Sequence, residues 1–123
     1  MKWLDRRIAA PGPYLTLVLS ESEFDSVCKR LKVPTEPWLG THANATTHFM
    51  EDGNGNYCAV VALGEVEGVT SIQIAALLVH ESVHIWQRYA RRIGEDSPGD
   101  EQEAYAIQSI SQELLAEYAR RIS

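Results

Sequence analysis

Cysteine is scarce in this chain: two in 123 residues, Cys28 and Cys58. One falls in a helix-like stretch and the other in a strand-like one, and no secretory leader is visible, so two buried thiols are expected rather than a disulfide. Long apolar runs are missing too. The longest, "CAVVAL" and "IAALLV", fall far short of the roughly 20 residues that cross a bilayer. The opening "MKWLDRRIAAPGP" is broken by charges and prolines and lacks the continuous apolar segment of a signal peptide. A cytoplasmic protein without membrane contact is therefore expected. Basic charge is also short, 11 Lys and Arg against 17 Asp and Glu, for a net charge of −6. Binding a phosphate backbone needs a basic face, so no nucleic-acid partner is expected. Arg91-Arg92 and Arg120-Arg121 stand near the ends of candidate helices, where they complement the helix dipole.

What is present reads as one domain, residues 1–123, of α+β class. "YLTLVL" follows a Pro-Gly-Pro breaker and has strand character. "SESEFDSVCKRLK" follows as a helix, with Ser20 and Glu23 as a capping box. Pro34 and Pro37 end it. "ATTHFME" and "NYCAVVAL" flank "DGNGN", whose Gly and Asn residues supply the positive φ angles of a tight connection, so a hairpin is predicted. Thr70 and Gln73 form a second capping box at the start of a long helix. Ile72, Ala76, Val79, Val83, Trp86, Ala90 and Ile93 repeat there in steps of four and three and predict its buried stripe. Gly94 stops it. After "EDSPGD" comes a last helix with Tyr105, Ile107, Ile110, Leu114 and Tyr118 on its inner side.

The chemistry lies in "HESVH", residues 80–84. On a helix His80 and His84 are only about 40° apart, so both rings can reach one ion at about 2 Å. Glu81 stands about 100° round from His80, beside the ion rather than on it, which suits a carboxylate that takes a proton from metal-bound water. Zinc, one per chain, is the expected metal; iron and manganese suit the same donors less commonly. No third histidine follows, so the remaining ligand must be acidic: Glu95, Asp96, Asp100, Glu101 or Glu103, with Glu113 and Glu117 further on. Glu101 and Glu103 project about 200° apart and cannot both face one ion. Reach favours Glu103, because His84 lies roughly 13 Å from its helix end and a later ligand comes back more easily. Glu103 is also placed to complete a capping box begun by Asp100, while Ser97 followed by Pro98 signals an alternative start.

HExxH followed by a glutamate on the next helix resembles the gluzincin metallopeptidases. In that group the glutamate opens a short motif with a small residue three positions on, and "EQEAY" is similar when Glu101 is the ligand and Ala104 the small residue. Tyr105 departs from the Asp or Asn common at the next position. The order strand, helix, hairpin, active-site helix, glutamate helix looks like the minimal gluzincin scaffold. "NATTHF", "LLVHESVHIWQ" and "SPGDEQEAYAIQ" resemble stretches of small metallopeptidases encoded by phages and prophages. The resemblance implies a compact zincin-like fold and hydrolysis of peptide or protein substrates. Zinc would be held by His80, His84 and Glu101, with Glu81 as base and then acid. It also implies a strand beside the cleft, "ATTHFME" or "NYCAVVAL", that pairs with an extended substrate.

A peptidase needs a donor for the oxyanion, and Tyr105, Tyr89, His42 and His48 are the candidates. His48 would be a substrate contact or support for a ligand if its strand lies near the metal helix. The competing reading is a zinc-binding assembly protein in which the ion only pins two helices. Glu81 favours the enzyme, since a purely structural site has no use for a base beside the metal.

Overall fold

The computed structural model describes residues 13–65, 67–94 and 99–123. The elements run β1 (Tyr14–Val18), α1 (Glu21–Leu31), β2 (Ala45–Glu51), β3 (Tyr57–Leu63), α2 (Ser71–Arg92) and α3 (Asp100–Ile122). They follow the order expected from the sequence: an α+β fold of three helices on a three-stranded sheet. The strand order is β1-β3-β2, with β3 parallel to β1 and antiparallel to β2. Among the described residues no helix is long and apolar enough to cross a membrane.

β3 is central and buried on both faces, which is why its sequence is a continuous apolar run rather than an alternation. Cys58, Val60 and Ala62 face α1, packing with Phe24, Val27, Cys28 and Leu31. Ala59, Val61 and Leu63 face the other way, against Leu78, Ile85 and Trp86 of α2 and Ile110 and Leu114 of α3. Both cysteines are free thiols buried in the α1 layer. Burial pushes each thiol up, with Asp25 and Glu36 adding to the effect at Cys28 and Asp52 at Cys58, so neither is primed for thiolate chemistry.

The hairpin forms at "DGNGN", with Gly55 at φ 82°. The Asp52 carboxylate accepts from the Asn56 side-chain amide at 2.8 Å and from the backbone N–H of Asn54 and Asn56 at 2.8 and 2.9 Å. These bonds, the Asn56 side chain first, hold its carboxyl below the usual range. Thr70 and Gln73 make both halves of the predicted capping box. At α1 the Ser20 hydroxyl accepts from Glu23 N–H as expected, but the Glu23 carboxylate reaches one residue further back, to Leu19 N–H.

That carboxylate also pairs with Arg121 at the end of α3, tying the last helix to the first. Burial alone would raise the Glu23 carboxyl, but the bonds from Arg121 and Leu19 outweigh it and hold it below its ordinary 4.5. Folding therefore favours the ionised form: its contribution is complete above that ordinary value and is lost as pH falls through the lowered one. Glu23→Gln is expected to cost about 1 kcal/mol at neutral pH, discounted for partial exposure. In urea titrations its deficit against the parent should shrink below about pH 4; a deficit that stays constant with pH would contradict this account.

Two helix faces differ from expectation. The stripe predicted on α2 begins in solvent: Ile72 is 79% exposed, Val79 40% and Ile93 47%. The buried face is Leu78, Glu81, Ser82, Ile85, Trp86 and Ala90, flanked by Ile74, Leu77 and Tyr89. This helix carries two apolar stripes, and the one with the bulkier Leu and Ile side chains wins the core because it removes more area from water. Glu81 and Ser82 interrupt it and hide its continuity in the sequence. Ser82 enters the core at no hydrogen-bonding cost, since its hydroxyl donates to Leu78 C=O at 2.7 Å. On α3 the inner face is Ala106, Ile110, Ser111, Leu114 and Glu117, with Tyr105 62% exposed rather than inside. Its N-cap is Gly99 without a side-chain cap, so Asp100 lies within the first turn beside Glu101 and Glu103. The start predicted at Ser97-Pro98 and the acidic candidates Glu95 and Asp96 lie outside the described residues.

Candidate metal centre

The shift in the buried face of α2 sets the geometry of "HESVH". With Leu78, Ser82 and Ile85 turned to the sheet, His80 and His84 face solvent and Glu81 is carried inward to 8% exposure. The two imidazoles stand edge to face, with centroids 4.7 Å apart and Nε2 atoms 3.1 Å apart. Two nitrogens separated by 3.1 Å, each about 2.05 Å from one ion, would subtend about 100° at it, within the range of a distorted tetrahedral site. The Nε2–Nε2 separation is thus one that two ligands of a single ion can have.

Glu81 is fixed from the sheet. Its Oε1 accepts from the Thr47 hydroxyl at 2.7 Å, while Oε2 stands 4.0 Å from His80 Nε2. One oxygen is anchored by Thr47 and the other is turned toward His80 without a hydrogen bond to it. Thr47 is the residue that sequence reasoning missed. The signal was there: on β2, Ala45 and Phe49 pack toward α2 while Met50 packs toward α1, so the alternation places Thr47 against the metal helix.

The same alternation removes His48 from the site. It points to the opposite face of the sheet, 4.5 Å from the Phe24 ring, with Nδ1 on Glu36 Oε1 at 2.6 Å and Nε2 on the Trp38 carbonyl at 2.8 Å. His48 is a buried anchor for the 33–44 loop, not an oxyanion donor or a support for a metal ligand. His42 occupies an exposed left-handed turn position, with φ 61°. Tyr89 is half-buried against Tyr57, and Tyr105 is exposed with no hydrogen bond among the described residues.

The acidic candidates are dispersed. Glu103 Oε2 accepts from Trp86 Nε1 at 3.0 Å, joining α3 to the core face of α2. Glu117 is buried and takes a two-pronged contact from Arg120, at 2.8 and 2.6 Å, which holds that guanidinium above its ordinary value. Asp100 and Glu101 are exposed in the first turn of α3, and Glu113 is half-buried on the same helix. Among the described residues no three His, Cys, Asp or Glu side chains converge on one metal position. The structure thus gathers His80, Glu81 and His84 and brings none of the described acidic candidates into a metal-binding group with them.

β2 lies alongside α2 in three successive contacts: Thr47 with Glu81, Phe49 with Arg88, and Glu51 with Arg92. β3 is paired on both sides, so "NYCAVVAL" is excluded as the substrate-pairing strand, while β2, at the edge of the sheet among the described residues, touches Glu81 through Thr47. No protein-family model, curated protein or solved structure was found to match this chain.

Proposed function

We propose that the chain is a zinc-dependent peptidase of minimal gluzincin type, acting in the cytoplasm on extended peptide segments. The observation that carries this reading is the pairing of two imidazole nitrogens 3.1 Å apart with a carboxylate oxygen 4.0 Å from one of them, anchored from behind by Thr47. His80 and His84 would hold the ion, with Glu101, at the opening of α3, as the third ligand. When bound, the ion lowers the pKa of a water molecule and polarises a substrate carbonyl. Glu81 Oε2 takes the water's proton and later delivers it to the leaving amine; the Thr47 bond to Oε1 keeps the carboxylate from swinging onto the metal. The edge of β2, unpaired among the described residues, would hold the substrate backbone in register with Glu81.

A non-catalytic zinc protein is the competing reading, and the solvent-facing position of both histidines favours it in one respect: the ion would be accessible to a ligand from another protein. The buried, anchored Glu81 weighs against it, because burying a carboxylate costs stability that a structural site would not need to spend.

Metal analysis tests the centre directly. Protein purified without added metal should carry about one zinc per chain, and His80→Ala or His84→Ala should lose it, as removing any one of three or four ligands does. No zinc in the parent and none taken up on addition would leave the 3.1 Å contact as a hydrogen bond between two imidazoles.

A further inference from the structure

One to two turns along α2 from His84, the helix and the hairpin border an open depression of about 620 Å³, lined by Phe49, Met50, Glu51 and Tyr57 from the hairpin and by Arg88, Arg91 and Arg92 from α2. We infer that this depression is a subsite for a carboxylate of the bound peptide, with Arg88 and Arg91 as its specificity-determining residues. The inference rests on the peptidase reading for its substrate class and on its own observations for the charge.

Three features carry it. The first is alignment. His80, His84 and Arg88 follow one another at intervals of four on the exposed side of α2, each step about 6 Å along the axis. An extended chain advances about 3.3 Å per residue, so Arg88 and Arg91 would meet a peptide about two to three residues from the position over His84.

The second is how the arginines are held. The Arg88 guanidinium lies over the Phe49 ring, 4.9 Å from its centroid, and Arg92 over Tyr57 at 4.3 Å. A guanidinium held over a ring by its face-on attraction to the π-system still has five N–H donors with which to meet a carboxylate. Arg92 is already paired with Glu51. No carboxylate among the described residues pairs with Arg88 or Arg91.

The third is contrast. In a protein of net charge −6 this depression gathers, among the described residues, three arginines against a single glutamate. A local positive field on an acidic surface draws anionic ligands to that one place and repels them elsewhere. Phe49 and Tyr57 stack at 6.0 Å beneath the cations and supply an apolar floor for the stem of an acidic side chain.

The carboxylate could be an Asp or Glu side chain or the peptide's own C-terminus, and binding separates the two. Three acetylated hexapeptides of alanine and leucine serve as probes: one with a single Glu and an amidated C-terminus, one with Gln in its place and amidated, and the Gln peptide with a free C-terminus. The Glu or Gln is walked through the positions. Affinities are measured on zinc-loaded full-length Glu81→Gln protein, where no peptide is consumed, and again with Arg88→Gln and Arg91→Gln added together.

A carboxylate peptide is expected to bind about fivefold tighter than the neutral one, the size of a partly exposed charge pair. The advantage should vanish in the arginine variant and in high salt. Preference for the Glu peptide assigns the side chain as the source, and preference for the free acid assigns the C-terminus. Equal affinity for all three, or an advantage that survives loss of both arginines, overturns the subsite. Absence of hydrolysis in the parent protein with these preferences intact would count against the peptidase reading alone.

Discussion

Glu81→Gln is expected to keep its metal and fold and to lose peptide hydrolysis by a factor of about 10²–10⁴, the usual contribution of a positioned acid–base group. The substitution is nearly isosteric, and the amide oxygen of Gln can still accept the hydrogen bond that Thr47 now donates at 2.7 Å. His80 and His84 face solvent, and no hydrogen bond joins either imidazole to Glu81, whose Oε2 stands 4.0 Å from His80 Nε2. What the amide cannot do is accept a proton from water near neutral pH. Stability should be unchanged or raised, because a buried carboxylate with one hydrogen-bond partner becomes a neutral amide. The measurements are zinc content, thermal unfolding and turnover of a quenched peptide library on the same preparations. Turnover equal to the parent, with zinc retained, would refute Glu81 as the base.

A quieter companion test is Thr47→Val, which keeps the shape and removes the donor. The carboxylate would then be free to rotate toward the ion, and turnover is expected to fall about 10–100-fold, the range for partners that orient a metal site. If Thr47→Val has no effect on turnover while Glu81→Gln abolishes it, the anchor is structural only.

Much of this architecture could be read in the sequence because its signals are local. Thr70 and Gln73 form their capping box wherever the helix lies, and "DGNGN" turns whatever strands flank it. "HESVH" is equally local: offsets of one and four on a helix fix the relative directions of His80, Glu81 and His84 before anything packs. What could not be read was the rotation of α2 about its axis. Period alone ranks the Ile72–Val79–Val83 stripe with the Leu78–Ile85 stripe, and the choice is made by side-chain volume against the sheet. The residues that this choice carries inside, Glu81 and Ser82, look like surface residues in the sequence. They break the local rule that the core face is apolar, and such breaks concentrate where a protein uses a residue chemically.

The face of a strand was hidden for a similar reason. His48 carries a functional residue type and Thr47 does not, yet a one-residue step on a strand reverses the side it faces. Composition points to His48; the register of β2 against β3 gives the role to Thr47. The third ligand was the least legible, since the sequence offers seven acidic candidates after the motif and no local rule chooses among them.

The largest loss of stability is expected at Trp86, where the fold and the ligand question meet. Its side chain is 1% exposed in the core between α2 and α3, and its indole N–H donates to Glu103 at 3.0 Å. Trp86→Ala should cost about 3–5 kcal/mol, a large part of what holds a domain of this size together. Trp86→Phe keeps most of the volume and gives up the bond to a carboxylate, for about 1.5–3 kcal/mol; a cost near zero would mean the bond contributes nothing. That bond also discriminates between the two glutamates. Glu103 cannot give Oε2 to the indole and to an ion at once without rearranging, whereas Glu101 has no such commitment. With Trp3 and Trp38 replaced by Phe, the fluorescence of Trp86 reports on its partner alone. Zinc addition is expected to leave that emission unchanged, and Glu101→Ala to weaken zinc by at least about 100-fold, beyond what outer partners contribute. A zinc-dependent shift in Trp86 emission, together with zinc lost in Glu103→Ala and kept in Glu101→Ala, would transfer the ligand to Glu103. It would also mean that metal binding draws α3 off the Trp86 indole, making occupancy of the site and the packing of the last helix one equilibrium.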